Sequence, residues 1–340
     1  MKLYCITDTY EDTPHHSDKS QTPVVTKAIA DDPVLTTGRN DVSVIKGVSK
    51  NILHFLLSAF WMIAFFGSCT ELIELKTANS EPVVVIYGCL TENTVHQTVY
   101  IAMSSPYFVA EPNKPVSDAI VSIQTSDDQT FELEETNEKG LYRTKYPMAA
   151  IAGITYHLTV SVDPNQSGNL KHFEATTTMQ RPFLVDSINI EVRYLMGYKY
   201  YSLNLYAQEE EGPDFYCAYT IINDSLYTSY ISSYTVFSDY GIDGRYIDGL
   251  PVIQLEDYEN ERFSDTNTYY HFVKPDDKVT CCISLIEKGY YDFLQQCQSE
   301  RRGENPFFGG PASNIATNIS NGGVGYFTAF STTRIDTYVP

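Results

Sequence analysis

Apolar and polar side chains alternate with a period of two along most of the chain after residue 82, and this spacing predicts β-strands. The clearest example is the run ITYHLTVSV, in which every second side chain from Ile154 to Val162 is apolar or aromatic. Successive side chains of a strand point to opposite faces, so this run has one core face and one polar face. Turn-forming residues such as Asp163-Pro164-Asn165 separate it from the next run. We therefore predict an all-β protein.

Short runs of this kind crowd residues 82–180 and predict an immunoglobulin-like or transthyretin-like β-sandwich. Read along the chain, they are PVVVIYGCL, TVYIAM, AIVSIQT, QTFELEE, GLYRTKY, ITYHLTVSV and KHFEATTT. Arg181-Pro182 breaks the pattern and marks the predicted domain boundary.

Residues 181–340 are predicted to form a second β-rich domain, because alternating runs resume after the boundary. One helical stretch interrupts them near residues 288–300, where apolar side chains recur at i, i+3, i+4 and i+7 from Tyr290 to Cys297. This spacing gives a helix a single apolar stripe. The expected fold is therefore a β-sandwich followed by a β-rich domain that carries one amphipathic helix.

The chain before residue 69 is predicted to be an export signal rather than part of the folded body. Residues 1–45 are polar and aperiodic, so we expect them to be disordered or to be translated from a start codon placed too early. Residues 46–68 combine lysines with the apolar run Ile52–Phe66 and end in Gly67-Ser68. A positive flank, about 15 apolar residues and a small-residue exit are typical of a secretory signal peptide.

Cys69 follows the two small residues, and this order resembles the lipobox of bacterial lipoproteins. In that motif the cysteine thiol is lipidated and becomes the first residue after cleavage. We therefore expect a covalent lipid on Cys69, a linker over residues 69–81 and no other cofactor. An uncleaved signal anchor fits less well, because the apolar run is shorter than the roughly 20 residues that span a membrane. A buried apolar helix that ends near a chance cysteine is the remaining alternative.

The charge balance narrows the class of partner. Lysine and arginine total 23 against 43 aspartates and glutamates, which gives a formal net charge of −20. A chain this acidic repels phosphate backbones, so nucleic acid is not an expected partner. The chain also contains 27 tyrosines, and 13 % of its residues are aromatic, which is too much for a disordered acidic protein.

The reactive side chains do not form a catalytic pattern. The seven cysteines contain no C-x-x-C pair, so a zinc site or a redox dithiol is disfavoured. Cys281 and Cys282 are neighbours on a predicted strand, so we expect them to face opposite sides and to pack as small hydrophobes. One disulfide among Cys89, Cys217 and Cys297 stays open as an alternative. The sequence contains no nucleophile elbow and no paired-histidine motif, and we predict no enzymatic activity.

Two loops remain as candidate sites. Asp239, Asp243 and Asp248 lie in a glycine-punctuated acidic loop whose carboxylates suit Ca²⁺, although a solvated loop without metal is the favoured interpretation. The run Asn321–Gly325 looks like a phosphate-binding loop but lacks the lysine and the helix that should follow. A tight turn that uses the conformational freedom of glycine is therefore favoured there.

The segment from Tyr216 to Tyr246 is rich in tyrosine and is a candidate docking surface for a partner or a glycan. Tyr234, Tyr240 and Tyr246 are its candidate contact residues. The competing interpretation, which we favour for most of the segment, is that these rings fill a sandwich core.

The C-terminal third carries the strongest resemblance to a known family. Its run NPFFGGPASNIATNISNGGVGYFTAFS follows an aromatic-rich helix, and the most specific part spans Asn318 to Phe327. With the lipobox and the valine-rich first strand, this run resembles the Bacteroidetes outer-membrane lipoprotein family catalogued as domain of unknown function 4249. The resemblance covers Cys69 to about Arg334. It implies an outer-membrane lipoprotein, commonly encoded beside TonB-dependent receptors, without an established catalytic activity.

Three functional hypotheses follow from these observations. The first is a lipid-anchored accessory protein that assists a TonB-dependent outer-membrane receptor in capturing or taking up a nutrient. The second is a structural or adhesive cell-surface lipoprotein without a transport role. A hydrolase ranks third, because it needs a clustered acid pair that the sequence does not reveal. Glu71 and Glu74, close behind Cys69, resemble the surface-export signal of such lipoproteins and favour the outer face of the membrane.

Overall fold

The computed structural model describes residues 82–105, 112–164, 168–226, 234–259, 272–302 and 315–340. The predicted leader, the predicted signal peptide, Cys69 and the predicted linker lie outside these ranges. Strands dominate the described part, which contains one α-helix, and the prediction of an all-β fold is confirmed. Within the same residues, no helix is both long enough and apolar enough to span a bilayer.

The elements agree closely with the periodicity of the sequence. The helix, α1, spans Lys288–Arg302 and covers the predicted helical stretch. In chain order the strands are β1 (Val84–Leu90), β2 (Thr98–Met103), β3 (Lys114–Pro115), β4 (Ile120–Thr125), β5 (Thr130–Glu135), β6 (Leu141–Thr144), β7 (Thr155–Val162), β8 (Lys171–Thr178), β9 (Ser187–Leu195), β10 (Tyr198–Gln208), β11 (Phe215–Ile222), β12 (Ser225–Leu226), β13 (Thr235–Ser238), β14 (Tyr246–Asp257), β15 (Phe272–Val273), β16 (Lys278–Leu285), β17 (Val324–Ala329) and β18 (Thr333–Tyr338).

The first sheet has nine strands in the order β17-β1-β2-β6-β5-β4-β7-β8, with β3 beside β2. Its pairings are antiparallel except for β1 with β17, which run parallel from Val85↔Val324 to Leu90↔Ala329. β17 belongs to the predicted second domain, so the chain returns across the predicted boundary to complete this sheet. The segment before β17 also bonds to β8: the Ser320 amide donates to the Glu174 carbonyl at 2.9 Å. The two end strands therefore approach each other in a barrel-like arrangement.

The core of the first sheet follows from the alternation in β7. Tyr156, Leu158 and Val160 are buried, whereas His157 and Thr159 between them are exposed. The inward side chains pack with Ile86, Val99, Ile101, Val121, Ile123, Tyr142, Phe173 and Phe327 in one apolar cluster. Removal of this apolar surface from water is the main force that holds the sheet.

The second region packs two sheets face to face. One sheet has the order β15-β14-β10-β9, and the other has the order β12-β11-β16-β18 with β13 beside β11. Leu203 and Leu255 of the first of these sheets meet Tyr216 and Ile283 of the second in a common core. The alternating stretch from residue 323 to 334 reaches two different sheets, because β17 joins the first sheet and β18 pairs with β16.

A third apolar cluster covers the other face of β11 and β16. Tyr290 and Phe293 of α1 pack there against Tyr87 of β1 and Tyr326 of β17. The hydroxyls of Tyr87 and Tyr290 lie 2.7 Å apart and hydrogen-bond inside this cluster. Helix and strands thus share one aromatic core that joins the two regions.

The two adjacent cysteines of β16 occupy opposite faces, as predicted. Cys281 lies in the core between the two sheets, and Cys282 lies in the aromatic cluster under α1. Both are free thiols and fully buried, and burial raises the pKa of Cys281 to about 12 and that of Cys282 to about 11. They pack as small hydrophobes. Cys217 is also a free thiol, so it forms no disulfide with Cys89 or Cys297.

Candidate functional site

The acidic loop between β13 and β14 closes as two overlapping turns. The amides of Ile242 and Asp243 both donate to the Asp239 carbonyl, at 2.7 and 3.1 Å, and the Arg245 amide donates to the Ile242 carbonyl at 2.9 Å. Gly241 and Gly244 have positive φ angles, which the tight path requires. Because of these turns, the loop reverses direction and returns to the end of β10.

The fold brings three carboxylates together at this loop. Oxygen atoms of Glu209, Asp239 and Asp243 all lie within 4.8 Å of one another. Two of the three, Asp239 and Asp243, are sequence-predicted candidates for Ca²⁺ binding. The third proposed residue, Asp248, is outside this group and lies on β14 opposite Tyr206 of β10.

Backbone and hydroxyl donors hold the three carboxylates in place. Glu209 accepts hydrogen bonds from the Tyr216 hydroxyl at 3.3 Å and from the Gly244 amide. Asp243 accepts from the Gly212 amide at 2.9 Å, and Asp239 accepts from the Asp214 amide at 2.9 Å. Each of the three negative charges therefore has at least one donor of its own in the fold.

Burial perturbs the innermost acid of this group. Glu209 is only 1 % exposed, and burial raises the pKa of its carboxyl above the ordinary value, against the hydrogen bonds from Gly244 and Tyr216. Burial also raises the pKa of nearby Asp214, against the attraction of Arg181, whose guanidinium lies 2.6 Å away. The cluster thus combines buried Glu209, half-buried Asp239 and exposed Asp243 with a single neighbouring cation among the described ion pairs.

Glu209 was not a candidate in the sequence, although a signal was present. It stands at the end of the alternating run of β10, at a position where the pattern calls for an inward side chain. A buried acid at such a position needs hydrogen-bond donors, and the glycine-rich loop supplies one of them. Glu209 is enclosed, with a donor on each of its carboxylate oxygens.

The three candidate tyrosines occupy different environments. Tyr240 is 96 % exposed on the acidic loop, and Tyr246 is 52 % exposed at the start of β14. Tyr234 instead lies in the aromatic cluster, where its ring stacks on that of Tyr219 at 5.3 Å. The proposal that Tyr234 is a surface contact is therefore wrong, because its ring fills the core beside β11. Tyr216 and Tyr219 are likewise core residues, as the favoured interpretation predicts.

A match to a known family covers the acidic loop and nearly all residues of the three sheets. The sequence profile described as Domain of unknown function (DUF4249) matches residues 70–336. The chain belongs to this family. No protein with curated annotation matches the chain significantly.

The glycine-rich run near the C-terminus of the DUF4249 region is a turn, as predicted. The Gly323 amide donates to the Ser320 carbonyl at 3.1 Å, and Asn321 and Gly322 both have positive φ angles. The Asn321 side chain donates to the His172 carbonyl of β8 at 2.8 Å. The run enters β17 rather than a helix, so it has a structural role in closing the first sheet.

The described histidines of the DUF4249 region contact hydroxyl or carbonyl groups of neighbouring strands and do not lie together in one site. Nδ1 of His157 lies 2.9 Å from the Thr176 hydroxyl, and Nδ1 of His172 lies 2.8 Å from the Ser161 hydroxyl. His96 contacts the Thr144 carbonyl at 2.5 Å. These cross-strand contacts belong to the first sheet, and they bring no described histidine to the carboxylate cluster.

Proposed function

We propose that the protein is a lipid-anchored accessory protein of a Bacteroidetes outer membrane that assists a TonB-dependent receptor in capturing or taking up a nutrient. The proposed lipid is on Cys69, and the proposed location is the cell surface. The observation that carries the proposal is the position of this cysteine. The lipobox-like run Gly67-Ser68-Cys69 ends directly before residue 70, where the DUF4249 match begins. The family region thus starts where a lipidated mature chain would start.

The stretch between the anchor and the folded body is long enough to act as a tether. Residues 70–81 separate Cys69 from Pro82, the first described residue. A fully extended chain of this length spans at most about 45 Å. The net charge of −20 favours a body that stands off an anionic membrane surface, and a tether allows it to do so.

The exposed tyrosines beside the carboxylate cluster are the proposed nutrient-contacting surface. Tyr240 and Tyr246 present large amphipathic rings to solvent, and the carboxylate of Asp243 lies in the same loop. Aromatic rings stack on apolar faces, whereas carboxylates accept hydrogen bonds from hydroxyl or amine groups. This combination suits a polar nutrient with several donor groups.

A structural or adhesive surface lipoprotein is the competing proposal. It uses the same anchor and the same exposed rings, but it requires no receptor. The two proposals therefore differ in one measurable respect, which is whether a TonB-dependent receptor is bound to the protein in the membrane.

Affinity purification from detergent-solubilised outer membranes tests the receptor, and labelling with a palmitate analogue tests the anchor. We expect the receptor to be recovered with the tagged chain. We expect the Cys69→Ala variant to lose both the label and the membrane fraction, while the Cys5→Ala variant keeps both. Labelled chain without any receptor would support the adhesive role instead. A label that persists in Cys69→Ala would overturn the anchor.

A second experiment tests the nutrient-contacting surface. Tyr240→Ala combined with Tyr246→Ala should reduce receptor-dependent uptake without altering the amount of receptor recovered. Tyr146→Ala is the matched control, because Tyr146 is also exposed, to 78 %, but lies outside the acidic loop. Equal uptake by both variants would place the contact surface elsewhere.

A further inference from the structure

The β9–β10 hairpin ends in an apolar tip that projects into solvent. All residues from Val192 to Tyr198 are exposed, although they belong to paired strands and their two-residue turn. Met196 is 93 % exposed and Leu195 is 63 % exposed. When one face of a strand packs against another surface, only every second residue remains exposed, because successive side chains point to opposite faces. Here consecutive residues are exposed, so both faces of the tip meet the surrounding medium.

The turn at the tip holds a methionine where another residue would be favoured. Met196 and Gly197 form the two-residue loop, with φ angles of 50° and 88°. Loops with two positive φ angles prefer asparagine or aspartate followed by glycine. Methionine in this left-handed region carries a conformational cost, and it gains no burial here that would offset the cost.

The side chains of the hairpin change in character along its axis. Met196 is at the end, and Leu195 pairs with Tyr198 on the first rung. Tyr194 pairs with Lys199 on the second rung, and Arg193 pairs with Tyr200 on the third. At about 3.4 Å per residue, about 10 Å separate the tip from the third rung. Met196 and Leu195 at the tip are apolar, a tyrosine is present on each of the three rungs, and the cations lie on the second and third rungs. From the tip inward, the side chains therefore change in order from apolar to aromatic and cationic.

The same order describes the lipid–water interface with increasing distance from the hydrocarbon. Apolar side chains enter the acyl region, tyrosines lie at the headgroup level, and lysine and arginine reach the phosphates. Interfacial elements insert about 5–10 Å, which matches the length of this tip.

The charges at the base of the hairpin permit such contact. Arg193 lies 2.5 Å from Glu191, and Lys199 lies 2.9 Å from Asp257, so each of these two acids is matched by a cation. The segment from Arg193 to Lys199 contains two cations and no acid. In a chain with a net charge of −20, this projection approaches anionic headgroups without the repulsion that the rest of the chain meets.

We propose that the tip of the β9–β10 hairpin inserts into the lipid–water interface of a membrane. The occupant of this apolar surface is therefore lipid, rather than a protein partner or a second copy. The inference requires neither the receptor nor the lipid on Cys69, so it stands or fails separately from the proposed function. Through this tip, the folded body would contact the membrane directly and independently of the proposed lipid anchor.

Hydroxyl-radical footprinting of the full chain, with and without vesicles, tests this contact. The vesicles are phosphatidylcholine alone or phosphatidylethanolamine with phosphatidylglycerol. We expect both vesicle types to reduce the oxidation of Met196 and Leu195 several-fold, because oxidation of these side chains follows their exposure to water. Tyr240, which is equally exposed but lies on the acidic loop, should keep its rate. Unchanged oxidation of Met196, or equal protection of Tyr240, would overturn the proposal.

A double variant isolates the apolar tip. Met196→Asn with Leu195→Thr removes the apolar side chains, introduces the preferred turn residue and keeps strand propensity, so folding is retained. We expect vesicles to lose their protection of Tyr194 and Tyr198 in this variant. Leu184→Thr changes an exposed leucine outside the hairpin and is the control. In this variant, vesicles should still protect Tyr194 and Tyr198 from oxidation. Protection that survives the double variant, or that grows with protein concentration in the absence of vesicles, would contradict insertion.

Discussion

The side-chain amide of Asn318 forms two hydrogen bonds with the backbone of Phe327, one in each direction. Its Nδ2 donates to the Phe327 carbonyl at 2.7 Å, and its Oδ1 accepts from the Phe327 amide at 2.9 Å. The same Nδ2 also donates to the Thr176 carbonyl of β8 at 3.1 Å. One side chain thus takes the place of a strand residue between β17 and β8.

We predict that Asn318→Ala lowers the free energy of unfolding by about 3 kcal/mol, because it leaves backbone groups of the buried Phe327 without partners. Chemical denaturation measures this loss. Asn137→Ala, at an exposed position in the β5–β6 turn, is the control and should change stability by less than about 0.5 kcal/mol. Equal effects of the two variants would show that the Asn318 side chain does not hold the strands together.

Two glycines of the same segment should respond very differently to alanine. Both have positive φ angles, but a Cβ at Gly325 would lie 2.1 Å from the Ile86 carbonyl oxygen, whereas a Cβ at Gly322 meets nothing within 4 Å. We expect Gly322→Ala to cost about 1 kcal/mol through its φ angle alone. Gly325→Ala should cost more than about 4 kcal/mol, because β1 and β17 cannot pair around the new methyl group. Thermal and chemical unfolding of the two variants provide the comparison, and similar losses would argue against the parallel pairing.

Glu209 should make stability fall as the pH rises. Its folded-state pKa is raised above the unfolded value, so between these two values the folded state holds a proton that the unfolded state has lost. The stability present below the unfolded pKa is therefore lost as the pH passes through the folded pKa. Glu209→Gln should remove this part of the pH dependence, as measured by urea unfolding across the acidic range. Glu211→Gln, at an exposed position two residues further, should leave the dependence intact.

Thermal unfolding with and without calcium distinguishes the two interpretations of the acidic loop, which are a Ca²⁺ site and a solvated loop without metal. We expect millimolar CaCl₂ to leave the midpoint of thermal unfolding unchanged, because backbone and hydroxyl donors already hold the three carboxylates, and Ca²⁺ requires six to eight oxygen ligands. A calcium-dependent rise that Asp243→Asn abolishes would instead identify the cluster with Glu209 as a cation site.

The sequence predicted the strands well because both faces of β7 are encoded in its alternating residues. It did not predict that the run from residue 323 to 334 divides between two sheets, because the partners β1 and β16 lie far away in sequence. The site shows the same limit. Asp239 and Asp243 were visible as neighbours in one loop, but Glu209 joins them only through the pairing of β10 with β14. Burial, which separates Tyr234 from Tyr240, likewise depends on tertiary packing, because Tyr234 lies in the aromatic cluster beside β11.

The parallel pairing of β1 with β17 constrains when the protein can finish folding. β1 is the first described strand, and its neighbour β17 lies more than two hundred residues later in the chain. The first sheet therefore lacks one of its two end strands until nearly the whole polypeptide has emerged from the ribosome. Such long-range contacts slow folding. A chain with this topology stays open during synthesis, and a truncation that removed β17 would leave β1, the first described strand, without its parallel partner.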